Sequence, residues 1–372
     1  MALADIARSL EENINRRGIV KRRRSGWLPQ IVPFSGYGST TAVKILARAM
    51  MADPSLGQPP FDLDFLRGRS YKSPAINAVR DIAELALETG VEAQRGWRQF
   101  FTTQVGFLPV TVVIGDRRIK TRTDRNGYVD LLVENHGLTP GWHEVELIPA
   151  AGKAVKAPVM IVSPNATQGL VSDIDDTIMV TWLPRVALAA WNSFVVHTNS
   201  RKTVVGMSDF YRNILEDHPD APVFYLSTGA WNTYSTLQRF LDTFRFPIGP
   251  LLMTDWGPTP TGLFRSGQEH KKTQLRNLLI MFPNIEWILV GDDGQHDPLI
   301  YDELAREHPS RVNFIALREL NPVEQVLSHG TLDPAESIRE DSDIERHGVP
   351  VIRGRDGHEL LLKFKHLFSK RQ

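Results

Sequence analysis

The stretch Gly169-Leu170-Val171-Ser172-Asp173-Ile174-Asp175-Asp176-Thr177 decides how this chain folds. Its opening apolar run predicts a short buried strand. Three carboxylates, those of Asp173, Asp175 and Asp176, stand within four residues at the end of that strand. They repel one another unless something positive binds among them. A magnesium ion together with a phosphoryl group is the partner that would make such a cluster useful.

The sequence beyond this stretch alternates between apolar strands and helical segments from about residue 166 onward. This alternation predicts an α/β fold, a doubly wound parallel sheet of the Rossmann type with helices on both faces. Ligands of such sheets bind at the carboxyl ends of the strands, so the site is expected there. The later strands are predicted at Val223-Leu226, Leu251-Met253, Trp287-Val290 and Asn313-Leu317, and the helices near Met207-Glu216, Thr233-Phe244, His270-Phe282 and Pro298-Glu307.

The residues before the α/β region predict a β-rich, sandwich-like domain with two leading helices. Short strands with Gly, Asn and Asp turns are the signal for the sheet, and Pro109 predicts that its strand lies at an edge. The predicted strands are Phe107-Gly115, Val129-Val133 and Trp142-Ile148, the turn is Asp124-Tyr128, and the helices are Thr41-Met51 and Ile76-Glu88.

The chain has 372 residues, which is too long for one ordinary domain. Four segments are predicted, namely a basic N-terminal segment at 1–27, the β-rich domain at 28–165, a catalytic domain at 166–322 and an extension at 323–372. An insertion at about 179–222 is interpreted as a cap over the site or as a lipid-facing surface. The apolar-faced helix around Leu360-Phe368 either folds back on the catalytic domain or contacts a membrane or partner.

Composition excludes several classes of function. The chain has no cysteine, so it has neither a disulfide framework nor a thiolate site. A net charge of zero argues against broad binding of nucleic acid. The sequence shows no secretory signal and no apolar run long enough to cross a bilayer, so a cytoplasmic location is expected. The run Lys21-Arg24 beside Trp27 is either a solvated terminus or a peripheral contact with the inner face of the membrane.

The paired acids Asp173 and Asp175 are the first candidate catalytic residues. A carboxylate nucleophile attacks phosphorus and forms an aspartyl-phosphate, which water then cleaves. Asp175 lies two residues on, on the same side of an extended chain, where it would protonate the leaving oxygen and later activate water. Thr177 is predicted to contact substrate, and both acids are predicted to contact the metal.

Two further strand-to-helix junctions supply groups that would bind a phosphoryl oxygen. Ser227, Thr228 and Gly229 follow an apolar strand and offer hydroxyl and backbone N–H donors, and Trp231 is predicted to contact substrate beside them. An ordinary helix cap is the alternative for this segment. Lys271 is predicted to neutralise phosphoryl charge and hold the nucleophile, with Lys272 as the competing candidate and a surface lysine as the bland alternative.

The run Gly291-Asp292-Asp293-Gly294-Gln295-His296-Asp297 is a second acidic cluster at the end of an apolar strand. Magnesium prefers a few carboxylates together with water and substrate oxygens. Asp292 is the best candidate ligand, and Asp293 and Asp297 are alternatives for completing the site. Both acidic clusters are expected to converge on one crevice that holds Mg²⁺.

At these residues the chain resembles the haloacid-dehalogenase (HAD) superfamily and, more closely, the actin-patch-associated phosphatidate phosphatase family in its bacterial form. The resemblance implies a HAD-like fold and hydrolysis of phosphatidate to diacylglycerol and phosphate. It also implies that Asp173 is the nucleophile, Asp175 the acid/base, Ser227 and Lys271 the phosphate ligands and Asp292 the magnesium ligand. Asp293 stands where many relatives carry serine. The resembling segments are Ser172-Asp173-Ile174-Asp175-Asp176-Thr177-Ile178, Tyr225-Leu226-Ser227-Thr228-Gly229-Ala230-Trp231-Asn232, Glu269-His270-Lys271 and Gly291-Asp292-Asp293-Gly294-Gln295-His296-Asp297-Pro298.

The predicted function is therefore a magnesium-dependent phosphatase of phosphatidate or a related lipid phosphate. A phosphatase of soluble phosphomonoesters is the first alternative, because the same site chemistry serves many substrates. A non-catalytic lipid-binding module is the second, and the filled catalytic positions argue against it. A phospho-accepting receiver also pairs acids with a hydroxyl and a lysine, but Asp175 favours hydrolysis.

Overall fold

The computed structural model describes residues 17–52, 103–180, 202–254, 267–294, 296–321, 324 and 347–369. The chain divides into two compact units, with the boundary between Pro164 and Asn165. The first unit contains the described residues 17–52 and 103–164, and all later described residues belong to the second. The predicted helix Ile76-Glu88 and residues 181–201 of the predicted insertion at 179–222 lie outside the described residues.

The first unit is built on one mixed sheet of eight strands. The order is β1-β3-β2-β8-β7-β4-β5, and β6 pairs with β3. All pairs are antiparallel except β2 with β8. Strands β5 and β6 also contact one another, and the buried side chains of the sheet form a single apolar core. The strands are β1 Leu28–Pro33, β2 Gly36–Gly38, β3 Ala42–Ala52, β4 Pro109–Ile114, β5 Arg117–Arg122, β6 Tyr128–Glu134, β7 Gly141–Pro149 and β8 Val155–Ile161.

The prediction of a helix at Thr41-Met51 is wrong, because this segment forms strand β3. Its alanines, leucine, lysine and arginine are good helix formers, so local preference favours a helix here. The alternate residues Val43, Ile45, Ala47 and Ala49 are buried in the core. A period of two is the pattern of a strand, and pairing on both sides of β3 outweighs the local preference.

The predicted edge position of Pro109 is also wrong. Strand β4 pairs with β5 on one side and with β7 on the other. Proline is tolerated there because it is the first residue of the strand. The predicted turn at Asp124-Tyr128 is confirmed, since Asp124 Oδ1 accepts the N–H groups of Asn126 and Tyr128, both at 2.8 Å.

The second unit has a six-stranded sheet in which every pair is parallel. Its order is β11-β10-β9-β12-β13-β14, which is the doubly wound order with β9 counted as the first strand. The chain proceeds outward from β9 in one direction and from β12 in the other, so the switch point lies between these two strands. The strands are β9 Gln168–Asp173, β10 Val223–Ala230, β11 Leu251–Thr254, β12 Glu286–Asp292, β13 Val312–Arg318 and β14 Val351–Gly354.

Helices cover both faces of this sheet. The described helices are α1 Met207–Ile214, α2 Tyr234–Thr243, α3 Gly267–Met281, α4 Asp297–Glu307 and α5 Gly357–Ser369. Ser172 Oγ lies 2.6 Å from the Tyr211 hydroxyl of α1, whereas the Asp173 carboxylate lies 2.6 Å from Lys271 Nζ of α3. Successive side chains of a strand point to opposite faces, so α1 and α3 lie on opposite sides. The predicted parallel α/β fold is confirmed.

The described end of the chain belongs to this unit. Strand β14 extends the sheet beside β13, and α5 packs against α1 and β14. Phe364 and Phe368 of α5 contact Phe314 of β13, with ring centroids 5.4 and 5.7 Å apart. The predicted apolar-faced helix therefore folds back on the sheet. None of the helices in the described ranges is long and apolar enough to cross a bilayer.

Candidate active site

Two aspartates end the neighbouring strands at the switch point. Asp173 is the last residue of β9 and Asp292 is the last residue of β12, and both side chains are buried. Asp297, the first residue of α4, is buried beside them. One carboxylate oxygen from each of the three lies within 4.8 Å of the other two. The two acidic clusters predicted from the sequence thus meet at one place, and these three residues are called the carboxylate triad below.

Lys271 joins two members of the triad. Its Nζ lies 2.6 Å from Asp173 Oδ1 and 2.5 Å from Asp297 Oδ1, and its side chain is 4% exposed. Burial lowers the pKa of Lys271, but the carboxylates of Asp173 and Asp297 outweigh it, so the pKa lies above its ordinary value. Lys272, the competing candidate, lies outside the triad and pairs with Glu303 at 2.5 Å.

Thr177 connects the strand ends from a tight turn that follows Asp173. Its hydroxyl is buried and lies 3.3 Å from Asp173 Oδ2 and 3.4 Å from Asp292 Oδ2. The turn is closed by backbone bonds, since the N–H groups of Ile178 and Met179 both donate to the Ile174 carbonyl. This turn places the Thr177 hydroxyl between the two strand-end carboxylates.

The triad carries more negative charge than its surroundings balance. Burial raises the pKa of Asp173, and Asp297 and Asp175 raise it further while Lys271 lowers it. Burial also raises the pKa of Asp292, with Asp297, Asp173 and Asp176 adding to the effect. Among the described residues, Asp297 Oδ2 is a buried atom without a hydrogen-bond partner. A set of carboxylate oxygens with excess negative charge and an unsatisfied acceptor fits a hard divalent cation.

Asp175 and Ser227 form a neighbouring pair. The Ser227 hydroxyl donates to Asp175 Oδ2 at 3.3 Å and accepts the Gly229 N–H at 2.9 Å. Asp173 pairs with Leu226 in the β9–β10 ladder, so Ser227 follows the partner of the predicted nucleophile. Asp175 is half-buried, and its carboxylate lies toward β10 rather than within the carboxylate triad.

Asp293 faces away from the triad. Its Oδ1 accepts the Leu320 N–H at 2.8 Å, and its own N–H donates to the Arg318 carbonyl at 2.9 Å. Of the acids that the sequence left as alternatives, the structure therefore brings Asp297 to Asp292 and Asp173. Gly291 permits this approach, because a Cβ there would lie 2.5 Å from Asp297 Oδ2.

The comparisons with known proteins concern this part of the chain. Residues 168–319 match the family model described as "Phosphatidate phosphatase APP1, catalytic domain". The matched range begins at β9, ends just after β13 and contains every residue predicted for the site. The predicted resemblance to a phosphatidate phosphatase family is therefore confirmed for these residues.

Two curated relatives each match just under half of this chain. Phosphatidate phosphatase APP1 of Saccharomyces cerevisiae is 30% identical over 174 residues, which are 46% of this chain and 29% of the yeast protein. An uncharacterized protein of Schizosaccharomyces pombe is 24% identical over 169 residues, which are 45% of this chain and 27% of that relative. This chain thus spans less than a third of the length of these curated relatives.

A solved structure gives a weaker similarity. The HAD domain of the effector protein Lem4 from Legionella pneumophila aligns at 12% identity with a TM-score of 0.29. The alignment covers 48% of this chain and 100% of that chain. A score this low carries no argument about fold or function.

The remaining predicted substrate contacts lie along β10 and the turn after it. Thr228 and Gly229 belong to β10, and Trp231 starts a short 3₁₀ turn that leads into α2. The Trp231 ring is buried and lies 6.0 Å from the Tyr234 ring, so it packs against α2.

Sequence reasoning missed Arg318, whose guanidinium donates to the Asp176 carbonyl at 2.6 Å. The available signal was an arginine directly after the predicted apolar strand Asn313-Leu317.

Proposed function

We propose that this protein is a phosphatase that hydrolyses a lipid phosphomonoester through an aspartyl-phosphate on Asp173, with phosphatidate as the substrate. The observation that carries the proposal is the buried contact of Asp173 with Lys271, Asp292 and Asp297 at the switch point. This cluster lies within the residues that match the phosphatidate phosphatase family. A nucleophile, a fixed ammonium and a set of oxygen ligands are the parts that phosphoryl transfer requires.

The proposed reaction has two steps. In the first, an Asp173 carboxylate oxygen forms a bond to phosphorus as the ester P–O bond breaks, and Asp175 donates its proton to the departing alcohol oxygen. In the second, Asp175 takes a proton from water, the water oxygen bonds to phosphorus, and the bond to Asp173 breaks. Diacylglycerol leaves in the first step and inorganic phosphate in the second.

The other side chains of the site stabilise charge and orient groups. Lys271 holds Asp173 Oδ1 and would balance the charge of the phosphoryl oxygens. Ser227 contacts Asp175 and, with Thr228 and Gly229, is proposed to donate hydrogen bonds to substrate. The Thr177 hydroxyl is shared between Asp173 and Asp292 and keeps the two carboxylates in register.

Asp173, Asp292 and Asp297 are proposed to hold Mg²⁺, and their buried oxygen donors with excess negative charge fit that ion. The ion would neutralise the phosphoryl oxygens as their charge develops. Asp175 and Asp293 remain predicted ligands, and in this structure their carboxylates contact Ser227 and Leu320 instead.

A substrate screen tests the proposal against its first alternative. Purified protein is assayed with phosphatidate in mixed micelles and with soluble sugar phosphates and nucleotides, each with Mg²⁺ and with a chelator. We expect Mg²⁺-dependent release of phosphate from phosphatidate. Turnover of soluble esters alone would establish a soluble phosphomonoesterase. Binding of phosphatidate without release of phosphate would establish a lipid-binding module.

A peripheral contact with the cytoplasmic face of a membrane is proposed to accompany this activity. Residues 17–24 are helical, and the Arg22 guanidinium lies 4.3 Å from the centre of the Trp27 ring. A basic segment beside an aromatic ring favours an anionic lipid surface. Flotation with anionic vesicles tests this. Charge reversal at Lys21, Arg23 and Arg24 is expected to weaken flotation, and unchanged flotation would contradict the contact.

A further inference from the structure

The turn after Asp173 contains a backbone conformation that needs support. Asp176 has φ of 59°, in the left-handed region, where residues other than glycine are uncommon. This conformation is strained for a residue with a side chain and persists where its surroundings fix it. Its N–H donates to the Met179 carbonyl at 2.9 Å. The hydrogen bond to its carbonyl comes from a side chain on another strand.

Arg318, the last residue of β13, supplies that support. Its buried guanidinium donates from Nη1 to the Asp176 carbonyl at 2.6 Å and from Nη2 to Glu324 Oε1 at 2.7 Å. Nε donates to the Arg355 carbonyl at 3.3 Å. The guanidinium therefore uses its planar fork to join a backbone carbonyl to a carboxylate, which the point charge of a lysine would not reproduce.

The backbone of Arg318 also touches the second acidic cluster. Arg318 pairs with Asp292 in the β12–β13 ladder, and its carbonyl accepts the Asp293 N–H at 2.9 Å. One residue thus holds the turn after β9 with its side chain and the end of β12 with its main chain.

Glu324 fixes the guanidinium in place. It is buried, and its Oε2 accepts the Asn321 N–H at 3.0 Å while its own N–H donates to Asn321 Oδ1 at 2.9 Å. A buried cation requires a partner of opposite charge with good geometry. The Arg318–Glu324 pair balances its own charge, so it orients the turn without changing the net charge around the carboxylate triad.

We propose that Arg318, oriented by Glu324, is a positioning residue for the Asp173 nucleophile and the Asp292 carboxylate. The Asp176 carbonyl and the Thr177 N–H belong to one planar peptide, so the bond from Arg318 fixes the start of Thr177. The Thr177 hydroxyl in turn contacts both carboxylates. Without the hydrogen bond from Arg318 to the Asp176 carbonyl, this hydroxyl would move. The distance between the carboxylates of Asp173 and Asp292 would then vary more. The expected effect on kcat rests on the proposed phosphatase activity, whereas the expected effect on the turn at residues 174–179 does not.

The test compares Arg318→Lys and Glu324→Gln with the parent chain. Kinetics with phosphatidate in mixed micelles are expected to show kcat lowered about 10- to 100-fold in Arg318→Lys, with KM changed by less than about threefold. A smaller fall in kcat is expected in Glu324→Gln. Hydrogen–deuterium exchange of a peptide covering residues 174–179 is expected to be faster in both variants, with exchange of β10 and α4 unchanged. A role confined to overall stability would not produce this local difference.

Arg311→Lys is the matched control. Arg311 also donates to backbone carbonyls, from Nη2 to Phe282 at 2.7 Å and from Nε to Ile285 at 3.1 Å, but it precedes β13 at the amino end of the strand. Its replacement is expected to leave kcat and exchange of residues 174–179 unchanged. The proposal is overturned if both test variants keep parental kcat and local exchange, or if exchange rises throughout the second unit. If the parent chain lacks phosphatase activity, the proposed function fails, and the exchange comparison still decides whether Arg318 holds the turn.

Discussion

The two units of the chain differ in the kind of polar side chain that they bury. In the first unit, the Thr123 hydroxyl donates to the Val105 carbonyl and accepts the Leu108 N–H, both at 2.9 Å. Within its described residues, 17–52 and 103–164, no aspartate, glutamate, lysine or arginine side chain is buried. In the second unit, the buried Asp173, Asp292 and Lys271 gather at one edge of the sheet.

This difference separates polar groups that hold the fold from groups that serve chemistry. A buried hydroxyl whose bonds are all made to the backbone stabilises the chain around it. Buried carboxylates placed together oppose folding. Burial raises the pKa of Asp173 and of Asp292, and the neighbouring carboxylates raise both further. Titratable groups perturbed in this way are concentrated at functional sites. We therefore expect substitutions in the carboxylate triad to lower kcat. Substitutions of a buried hydroxyl in the first unit should lower stability and leave kcat unchanged.

The largest expected effect is the loss of turnover in Asp173→Asn. The amide lacks the nucleophilic carboxylate, so kcat is expected to fall on the order of 1,000-fold or more. Transfer of radiolabelled phosphate to the protein, measured after acid quench, should be detected in the parent chain and absent in the variant. Asp209→Asn, at an exposed carboxylate paired with Arg212 on α1, is the control and should keep parental kcat. Residual activity within tenfold of the parent would remove Asp173 as the nucleophile.

Asp292→Asn is expected to lower activity and raise stability at once. The substitution removes a proposed Mg²⁺ ligand, so kcat should fall about 100-fold or more. It also removes one buried like charge, so Tm of the metal-free protein should rise by roughly 2–4 °C, as about 1 kcal/mol gives for a unit of this size. Thermal denaturation with chelator and with Mg²⁺ measures both effects. An equal rise in Tm with Mg²⁺ in the variant and the parent would show that Asp292 does not bind the ion.

The fold of the second unit could be predicted because its signal is local. Each apolar strand ends at a polar junction, and the order of junctions along the chain is sufficient to place Asp173 and Asp292 at one edge. Strand β3 of the first unit shows where a local sequence pattern fails to predict the structure. Its alanines and methionines favour a helix, and the strand exists because it pairs with β1, close by in sequence, and with β6, which comes much later in the chain.

The site could be predicted by residue type but not by the direction of each side chain. The sequence favours Asp292 as a ligand but does not distinguish Asp293 from Asp297 as its partner. The Asp293 carboxylate accepts the Leu320 N–H and so lies away from the carboxylate triad. The Asp297 carboxylate pairs with Lys271 and so lies within it. Arg318 was missed because its partner is the carbonyl of Asp176, 142 residues earlier in the chain. No pattern of residue types marks a backbone acceptor at such a separation.

A change in the first unit should affect stability alone. Thr123→Val leaves the Val105 carbonyl and the Leu108 N–H buried without their partner, so the free energy of unfolding should fall by about 1–3 kcal/mol. Chemical denaturation measures the change, and kcat should stay at the parental value. Thr121→Val, at a half-buried position on β5, is the control and should stay within about 0.5 kcal/mol of the parent. A fall in kcat without loss of stability would contradict this division of roles.

The smallest expected effect separates two adjacent acids. Burial raises the pKa of Asp293, although its bond from the Leu320 N–H lowers it, so a neutral group is tolerated at this position. An amide in Asp293→Asn still accepts that N–H, and kcat should change by less than about threefold. The same measurement on Asp292→Asn supplies the contrast, because that carboxylate contacts Thr177 and lies in the carboxylate triad. An equal loss in both variants would contradict this prediction and would restore Asp293 as a candidate ligand.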